Sequence, residues 1–238
     1  MVANTVHLDD DELPVNPTEY RELIGMLNYY QSVYRPELSY FTSVASSFMQ
    51  APTVFHWRMV ERGFRYVMGT KDICIRFHRD SDFTLVAWAD ASFQSRDRAR
   101  SQSGYCFSLG LHNAMFYAKS QKQTVCAQSS TEAEYISLFN CSTEAVWISD
   151  LIDYMYLPTG PVIIYQDNLA AIHWAAGQDN FQASKHVDRK LHYTRDLWSS
   201  GVIDIRYCPT STMIADILTK PLIKEKFVSL RDALLGLW

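Results

Sequence analysis

The spacing of apolar positions divides the chain into two kinds of territory. Between Pro17 and about Thr70, Leu23, Leu27 and Tyr30 recur at helical spacing behind a start at Thr18, Glu19 and Glu22, while Pro36 and Pro52 divide the stretch into three helices. No strand signal interrupts this region, which predicts a small helical unit. Beyond Gly69 the period shortens: Ile73–Phe77 and Phe83–Trp88 are β-branched and aromatic runs, the second closing on Ala89-Asp90. Gly104–Leu109 and Ala114–Ala118 flank Gly110–Asn113, a hairpin connection. Three antiparallel strands are the natural reading. A long helix is predicted from about Ser130 to Tyr154, then a strand Val162–Tyr165 ending at Gln166-Asp167, and a helix Leu169–Ala176. A polar helix around Ser184–Trp198, a strand Val202–Tyr207 and a helical end from near Met213 complete the chain. Hairpin strands followed by alternating helices and strands imply an α/β fold: a five-stranded mixed sheet flanked by helices, with the strands ending at Asp90 and Asp167 adjacent and parallel.

Composition adds exclusions. With 238 residues, 47% apolar and 20% charged, the chain is neither disordered, collagen-like nor a coiled coil. No window approaches the ~18 apolar residues of a membrane span, and residues 1–14 lack a basic start and an apolar stretch, so a soluble, intracellular protein is expected. Cys74, Cys106, Cys126, Cys141 and Cys208 are far apart and form no Cys-x-x-Cys pair, which argues against a disulfide framework or zinc ribbon. The net charge of −4 is accounted for by Asp9, Asp10, Asp11 and Glu12, leaving a neutral body unsuited to coating DNA through many phosphate contacts. The expected organisation is an acidic leader over 1–16, a helical region over 17–72 and a sheet domain over 73–238. Trp57, Trp88, Trp147, Trp174 and Trp198 stand among apolar positions and are expected in the core.

Four carboxylates stand out. Asp90 and Asp167 each follow an apolar run at a strand's end, Glu134 lies near the start of the long helix, and Asp216 lies early in the last helix. Any one alone reads as a cap or a surface charge. Four at one sheet edge would repel one another by several kcal/mol unless divalent cations neutralised them.

The segments Tyr20–Gly25, Arg35-Pro36, His56-Trp57, Arg65-Tyr66, Gly69-Thr70, Ala89–Ala91 and Ser101–Tyr105 resemble one known family. So do Lys119–Gln123, Ser129–Tyr135, Gln166–Asn168, Lys185–Asp188 and Ala215–Lys220. The chain resembles the C-terminal end of the Pol polyprotein of copia-type long-terminal-repeat retrotransposons. The resemblance implies a ribonuclease H-like fold from about residue 83, preceded by the helical thumb or connection end of a reverse transcriptase whose palm is absent from this chain. It matches Asp90, Glu134, Asp167 and Asp216 to the catalytic, metal-binding carboxylates. Glu132 lies in the same motif as Glu134; a two-residue offset turns a side chain ~200° around a helix, so both cannot face the same ions. The loop Cys208–Met213 lacks the histidine that cellular enzymes place there.

The implied reaction is hydrolysis of the RNA strand of an RNA–DNA hybrid with two Mg²⁺ ions, Mn²⁺ substituting, and Asp90 bridging both. From residue 83 onward 14 Lys and Arg face 15 Asp and Glu, so the ions themselves would supply much of the attraction for phosphate. Candidate nucleic-acid contacts are Arg98, Arg100, Lys119, Lys122, Ser130, Thr131, Asn168, Lys185 and His186. A zinc site on His186 and His192 is disfavoured, since the pair has no cysteine or acidic support. The implied partners are the hybrid and the reverse transcriptase core of the same polyprotein, in the cytoplasm within virus-like particles or in the nucleus. Two other readings stay open: a domesticated fragment that binds without catalysis, and a DNA-directed nuclease or transposase of the same fold.

Overall fold

The computed structural model describes residues 11–79, 82–93, 100–157, 160–177 and 185–237, the side chains of 185–189 excepted. The chain divides into two compact units, Met1–Cys74 and Ile75–Trp238.

The first unit is helical. Helix α1 (Pro17–Val33) starts where Asn16 accepts a hydrogen bond from Thr18 N and Pro17 occupies the first turn, a position that needs no N–H donor. A 3₁₀ turn, Pro36–Leu38, leads into α2 (Ser39–Ser46), and α3 (Val54–Gly69) is capped by Thr53 and His56. Tyr20, Ile24, Leu27, Ala45 and Val60 form the buried centre, where Tyr20 donates its hydroxyl proton to Ala45 O at 3.0 Å.

The second unit is a five-stranded mixed sheet, β1 (Leu85–Ser92), β2 (Gln102–Leu109), β3 (Met115–Lys122), β4 (Val162–Gln166) and β5 (Ile203–Tyr207), in the order β3-β2-β1-β4-β5. The β1/β2 and β2/β3 pairs are antiparallel, whereas β1/β4 and β4/β5 are parallel. The helices are α4 (Ser130–Tyr154), α5 (Leu169–Ala175), α6 (Lys185–Ser199) and α7 (Lys224–Leu234). Both faces of β1 are covered, as expected of a central strand with a near-continuous apolar run. Leu85, Ala87 and Ala89 pack with Tyr135, Leu138 and Ile164, while Val86 and Trp88 pack with Met213, Ile214, Leu218 and Leu234.

Four expectations need correction. Ile73–Phe77 is no strand: its Arg76 N donates to Leu235 O, and Arg76 O accepts from Ala114 N, without a ladder. Strand β1 does not end at Asp90, because Asp90, Ala91 and Ser92 continue to pair with Gly104, Ser103 and Gln102. Asp216 lies not in the last helix but in a separate 3₁₀ turn, Ile214–Leu218, ahead of α7. Trp147 is exposed on α4, whereas Trp88 and Trp174 are buried.

Candidate metal centre

Three elements converge at the centre of the sheet edge. The parallel pairing of β1 with β4 sets Asp90 beside Asp167, the residue that follows Gln166 at the end of β4. The third group, Glu134, comes from the second turn of α4, a helix started by Ser129, whose side chain accepts from Glu132 N. Asp90, Glu134 and Asp167 each offer an oxygen, and the three oxygens lie within 4.8 Å of one another. Asp90 and Glu134 are buried, at 1% and 8% exposure, and Asp167 is half-buried.

Neighbours hold each carboxylate in place. Glu134 Oε2 accepts from Ala91 N at 2.9 Å, so the strand that carries Asp90 also orients the helix residue. Ser137 on α4 donates to Asp90 O at 2.7 Å, Thr219 donates to Asp90 Oδ2, and Thr210 donates to Asp167 Oδ2 at 2.8 Å. Gln166 accepts from the backbone N–H of both Asp167 and Asn168, fixing the bend that turns Asp167 out of the strand.

Crowding of like charge in a dry setting has an electrostatic consequence. Burial pushes the Asp90 carboxyl up to about 7, with Asp216 and Asp167 adding to the rise and Lys220 and the Thr219 hydrogen bond opposing it. Glu134 is held well above the usual carboxylate range, first by burial and then by Asp90 and Asp167. Lys220 thus offsets only part of the crowding, and the donor set of the three groups is oxygen only, which suits a hard divalent cation.

Asp216 stands apart from that trio. Fully buried, it is engaged on both oxygens by ammonium groups, Lys220 Nζ at 2.6 Å from Oδ1 and Lys226 Nζ at 2.5 Å from Oδ2. Lys220 Nζ also lies 3.6 Å from Asp90 Oδ2. Glu132 takes no part: its carboxylate accepts from Gln128 N at 2.7 Å at the start of α4.

The sequence missed the supports. Thr210, Ser137, Thr219, Lys220 and Lys226 carry no signal of their own in a single chain, since the contacts that give them meaning span up to 129 residues. Gly104 does leave one: a Cβ there would lie 2.6 Å from Thr219 Cγ2 and 2.7 Å from Leu218 Cβ. Opposite Asp90 in the ladder, it lets the Ile214–Leu218 turn and Thr219 close on the strand.

Of the candidate nucleic-acid contacts, Arg100, Lys122 and Ser130 are exposed and Thr131 is half-buried. Lys119 is paired with Glu144 at 3.1 Å, and Asn168 caps α5 by accepting from Ala171 N. Arg98 and the side chains of Lys185 and His186 lie outside the described residues.

No family model matches the chain. It is 36% identical over 214 residues to the retrovirus-related Pol polyprotein from transposon RE2 of Arabidopsis thaliana, covering 89% of this chain and 14% of that protein. To the corresponding protein from transposon TNT 1-94 of Nicotiana tabacum it is 29% identical over 209 residues, 87% of this chain and 16% of the relative. The chain thus spans about one seventh of the length of these relatives. Among solved structures, it is similar to the N-terminal RNase H domain of a Mycobacterium tuberculosis protein fused to maltose binding protein, with a TM-score of 0.46 and 14% identity, covering 64% of this chain and 99% of that one.

Proposed function

The chain belongs to the retrovirus-related Pol polyproteins of copia-type transposons, and from that premise we propose that its sheet unit is a ribonuclease H, a metal-dependent endonuclease that hydrolyses the RNA strand of RNA–DNA hybrids. The observation that carries the reading is the convergence of Asp90, Glu134 and Asp167, two of them buried, with oxygens within 4.8 Å. A purely structural role gives no reason to gather three carboxylates with two of them buried.

These residues would hold Mg²⁺, with Mn²⁺ able to replace it. Bound there, a divalent ion supplies Lewis acidity toward a phosphate oxygen and a water of lowered pKa. The chain's own residues supply position. Asp90 is fixed through its backbone by Ser137 and through Oδ2 by Thr219, Glu134 by the Ala91 N–H, and Asp167 by Thr210. The exposed Arg100, two residues ahead of β2, and Lys122, which ends β3 and pairs with Gln102, are proposed to meet the phosphate backbone. Discrimination of RNA from DNA would come from minor-groove shape and 2′-hydroxyl contacts. The helical unit is proposed as a thumb- or connection-like region that positions the hybrid, and the reverse transcriptase core of the same polyprotein is the proposed protein partner. No helix among the described residues is long and apolar enough to cross a membrane.

The test is direct. Purified protein is incubated with labelled RNA–DNA hybrid, double-stranded RNA and double-stranded DNA, each with Mg²⁺, Mn²⁺ or chelator. Cleavage of the hybrid's RNA strand alone, and only with metal, is expected. Protein that binds hybrid but leaves it intact in both ions would be a binding module, and the proposal would fail.

A further inference from the structure

The end of α4 farthest from the carboxylate cluster carries a surface that neither the packing nor the proposed chemistry uses. Asp150 lies on the same helix as Glu134, ~24 Å further along at 1.5 Å per residue. On the outer face there, Trp147, Leu151 and Tyr154 stand at spacings of four and three, one stripe of a helix, and are 56%, 45% and 83% exposed. Beside the stripe is a cleft of about 350 Å³ to which α4 contributes Val146, Ser149, Asp150 and Asp153, and which Pro161 and Val202, immediately ahead of β4 and β5, help to complete.

The charge of this surface has one sign. No Lys or Arg occurs between Lys122 and Lys185, and the last turn of α4 has no basic residue. Asp150 and Asp153, both exposed, occupy its last two turns, where the helix dipole is already negative and a cation is the favoured neighbour. Among the ion pairs of the described residues, none involves Asp150. Carboxylates so placed work against the helix and repel phosphate, so the surface serves neither the stability of α4 nor nucleic acid. The backbone around the cleft also has little to give a further strand. That of α4 is spent within the helix, Pro161 has no N–H, and Val162 N donates to Val202 O at 3.0 Å. Recognition therefore falls to side chains.

We propose that this face docks a cationic amphipathic helix of a partner protein. Lys or Arg side chains of that helix meet Asp150 and Asp153 at the cleft, and its apolar stripe covers Trp147, Leu151 and Tyr154. The ~10 Å from Trp147 to Tyr154 is two helical turns, which matches anchors at i, i+3 or i+4, and i+7 on the incoming helix. The ring faces of Trp147 and Tyr154 add attraction for the same cations. The inference is independent of the metal-centre reading.

The test uses the full chain and a fluorescein-labelled Leu/Lys peptide of ~14 residues with leucines at i, i+3, i+4 and i+7. Controls are the same peptide with Glu in place of Lys and a shuffled peptide of equal composition. Fluorescence anisotropy should show binding of the first peptide alone, weakened by about tenfold or more in Asp150→Lys and in Trp147→Ser, and the Trp147 indole N–H resonance of wild type should shift on binding. Asp150→Lys should melt no lower than wild type, because a cation suits that end of α4, so its lost binding would not be lost folding. Equal binding by wild type and both variants, equal binding of the shuffled peptide, or no binding at all would overturn the proposal. So would a lower melting temperature for Asp150→Lys, which would give the carboxylate to the fold. Sedimentation of wild type alone checks the other occupant: a dimer that Trp147→Ser dissolves would assign the face to a second copy of the chain and overturn the partner helix.

Discussion

Each unit buries a cluster of charged groups, and the two clusters are completed differently. In the helical unit Arg35 and Glu37 form an ion pair at 2.7 Å with side-chain exposures of 2% and 0%. Arg35 spends its remaining donors on Thr70 O at 3.1 Å and Thr70 Oγ1 at 2.8 Å, lies over the Tyr66 ring at 5.2 Å, and shares Glu37 Oε1 with the Tyr66 hydroxyl. One cation meets one anion, and side chains from α3 complete the set. In the sheet unit Asp90 and Glu134 are buried to a similar degree, but with Asp167 they make three carboxyl groups in one place, and the nearest cation, Lys220, lies 3.6 Å from Asp90, acts on Glu134 as well and is shared with Asp216. Burying a charge is costly in both cases. The helical cluster balances its charge internally, one cation to one anion, although Glu37 Oε2 is buried without a hydrogen-bond partner, which suits a clasp between Arg35-Pro36 and Gly69-Thr70. The sheet cluster leaves it unresolved, which suits a site that takes its counter-charge from solution.

Breaking the charge-balanced cluster should have the largest effect on folding. Arg35→Ala strips Glu37 of its cation while leaving it buried, and removal of one partner from such a pair costs about 3–5 kcal/mol. Thermal unfolding of the helical unit should shift down accordingly, with hydrolysis by the sheet unit carried along only as far as unfolding explains. A shift of a degree or less would show that the pair is dispensable and the contrast overdrawn.

The open cluster should respond in function. Asp167→Asn removes one negative charge with little change of shape. Phosphate-backbone binding should survive or tighten, whereas hydrolysis should fall by roughly 10²-fold or more, because a metal ligand is lost from a preorganised site. Hybrid affinity by fluorescence anisotropy and single-turnover cleavage separate the two. Equal losses in both would mean that Asp167 serves binding and not chemistry.

The two clusters were also unequally legible in the sequence. Asp167 announced itself because an apolar strand ended on it, whereas Glu134 is separated from Glu132 only by the family resemblance of the Ser129–Tyr135 segment. The starts of α1 and α4 lie within a residue of those expected at Thr18 and Ser130, because Asn16 and Ser129 cap the helices there. A helical end beginning near Met213 would hold Asp216 in a helix, yet the segment needs only one tight turn to bury Met213, Ile214, Ile217 and Leu218. Arg35 and Glu37 gave no hint of being a buried pair, since the residues that complete it, Tyr66 and Thr70, lie about 30 positions away. Ile73–Phe77 has strand composition, but it meets Ala114 and Leu235 through single hydrogen bonds instead of a partner strand. What the sequence carried was local periodicity and capping. Register across the sheet, which puts Gly104 opposite Asp90, was beyond it.

Acidity offers a milder way to sharpen the contrast. Asp90 has its folded value raised to about 7 from an ordinary 3.8, and Glu134 is raised in the same direction. In metal-free protein the native state therefore holds protons that the unfolded chain has released, so this contribution to stability is full at acid pH and is lost as pH rises through about 7. Melting in chelator should fall between pH 5.5 and 8, and saturating Mg²⁺ should flatten or reverse the fall, because the ion replaces the proton. Metal affinity should strengthen over the same range, by about tenfold per pH unit below 7 for each proton displaced. A metal-free melting temperature that rose with pH would contradict the charge shortage assigned to the cluster.

The smallest effect is expected where a carboxylate lies next to the cluster without belonging to it. Glu132 is buried like Glu134 and only two residues away, so burial and sequence motif alone do not separate them. Their partners do. Glu132 accepts from Gln128 N and its own N–H donates to Ser129 Oγ, both at the first turn of α4, while Glu134 accepts from Ala91 N on the strand that bears Asp90. Glu132→Gln keeps a carbonyl oxygen able to accept from Gln128 N, so the helix start should lose no more than the ~1 kcal/mol typical of a cap. Cleavage should stay within a few-fold of wild type under conditions where Glu134→Gln abolishes it. Equal losses in the two variants would move the metal ligand to Glu132, and with it the boundary between the cluster that binds an ion and the turn that merely holds it.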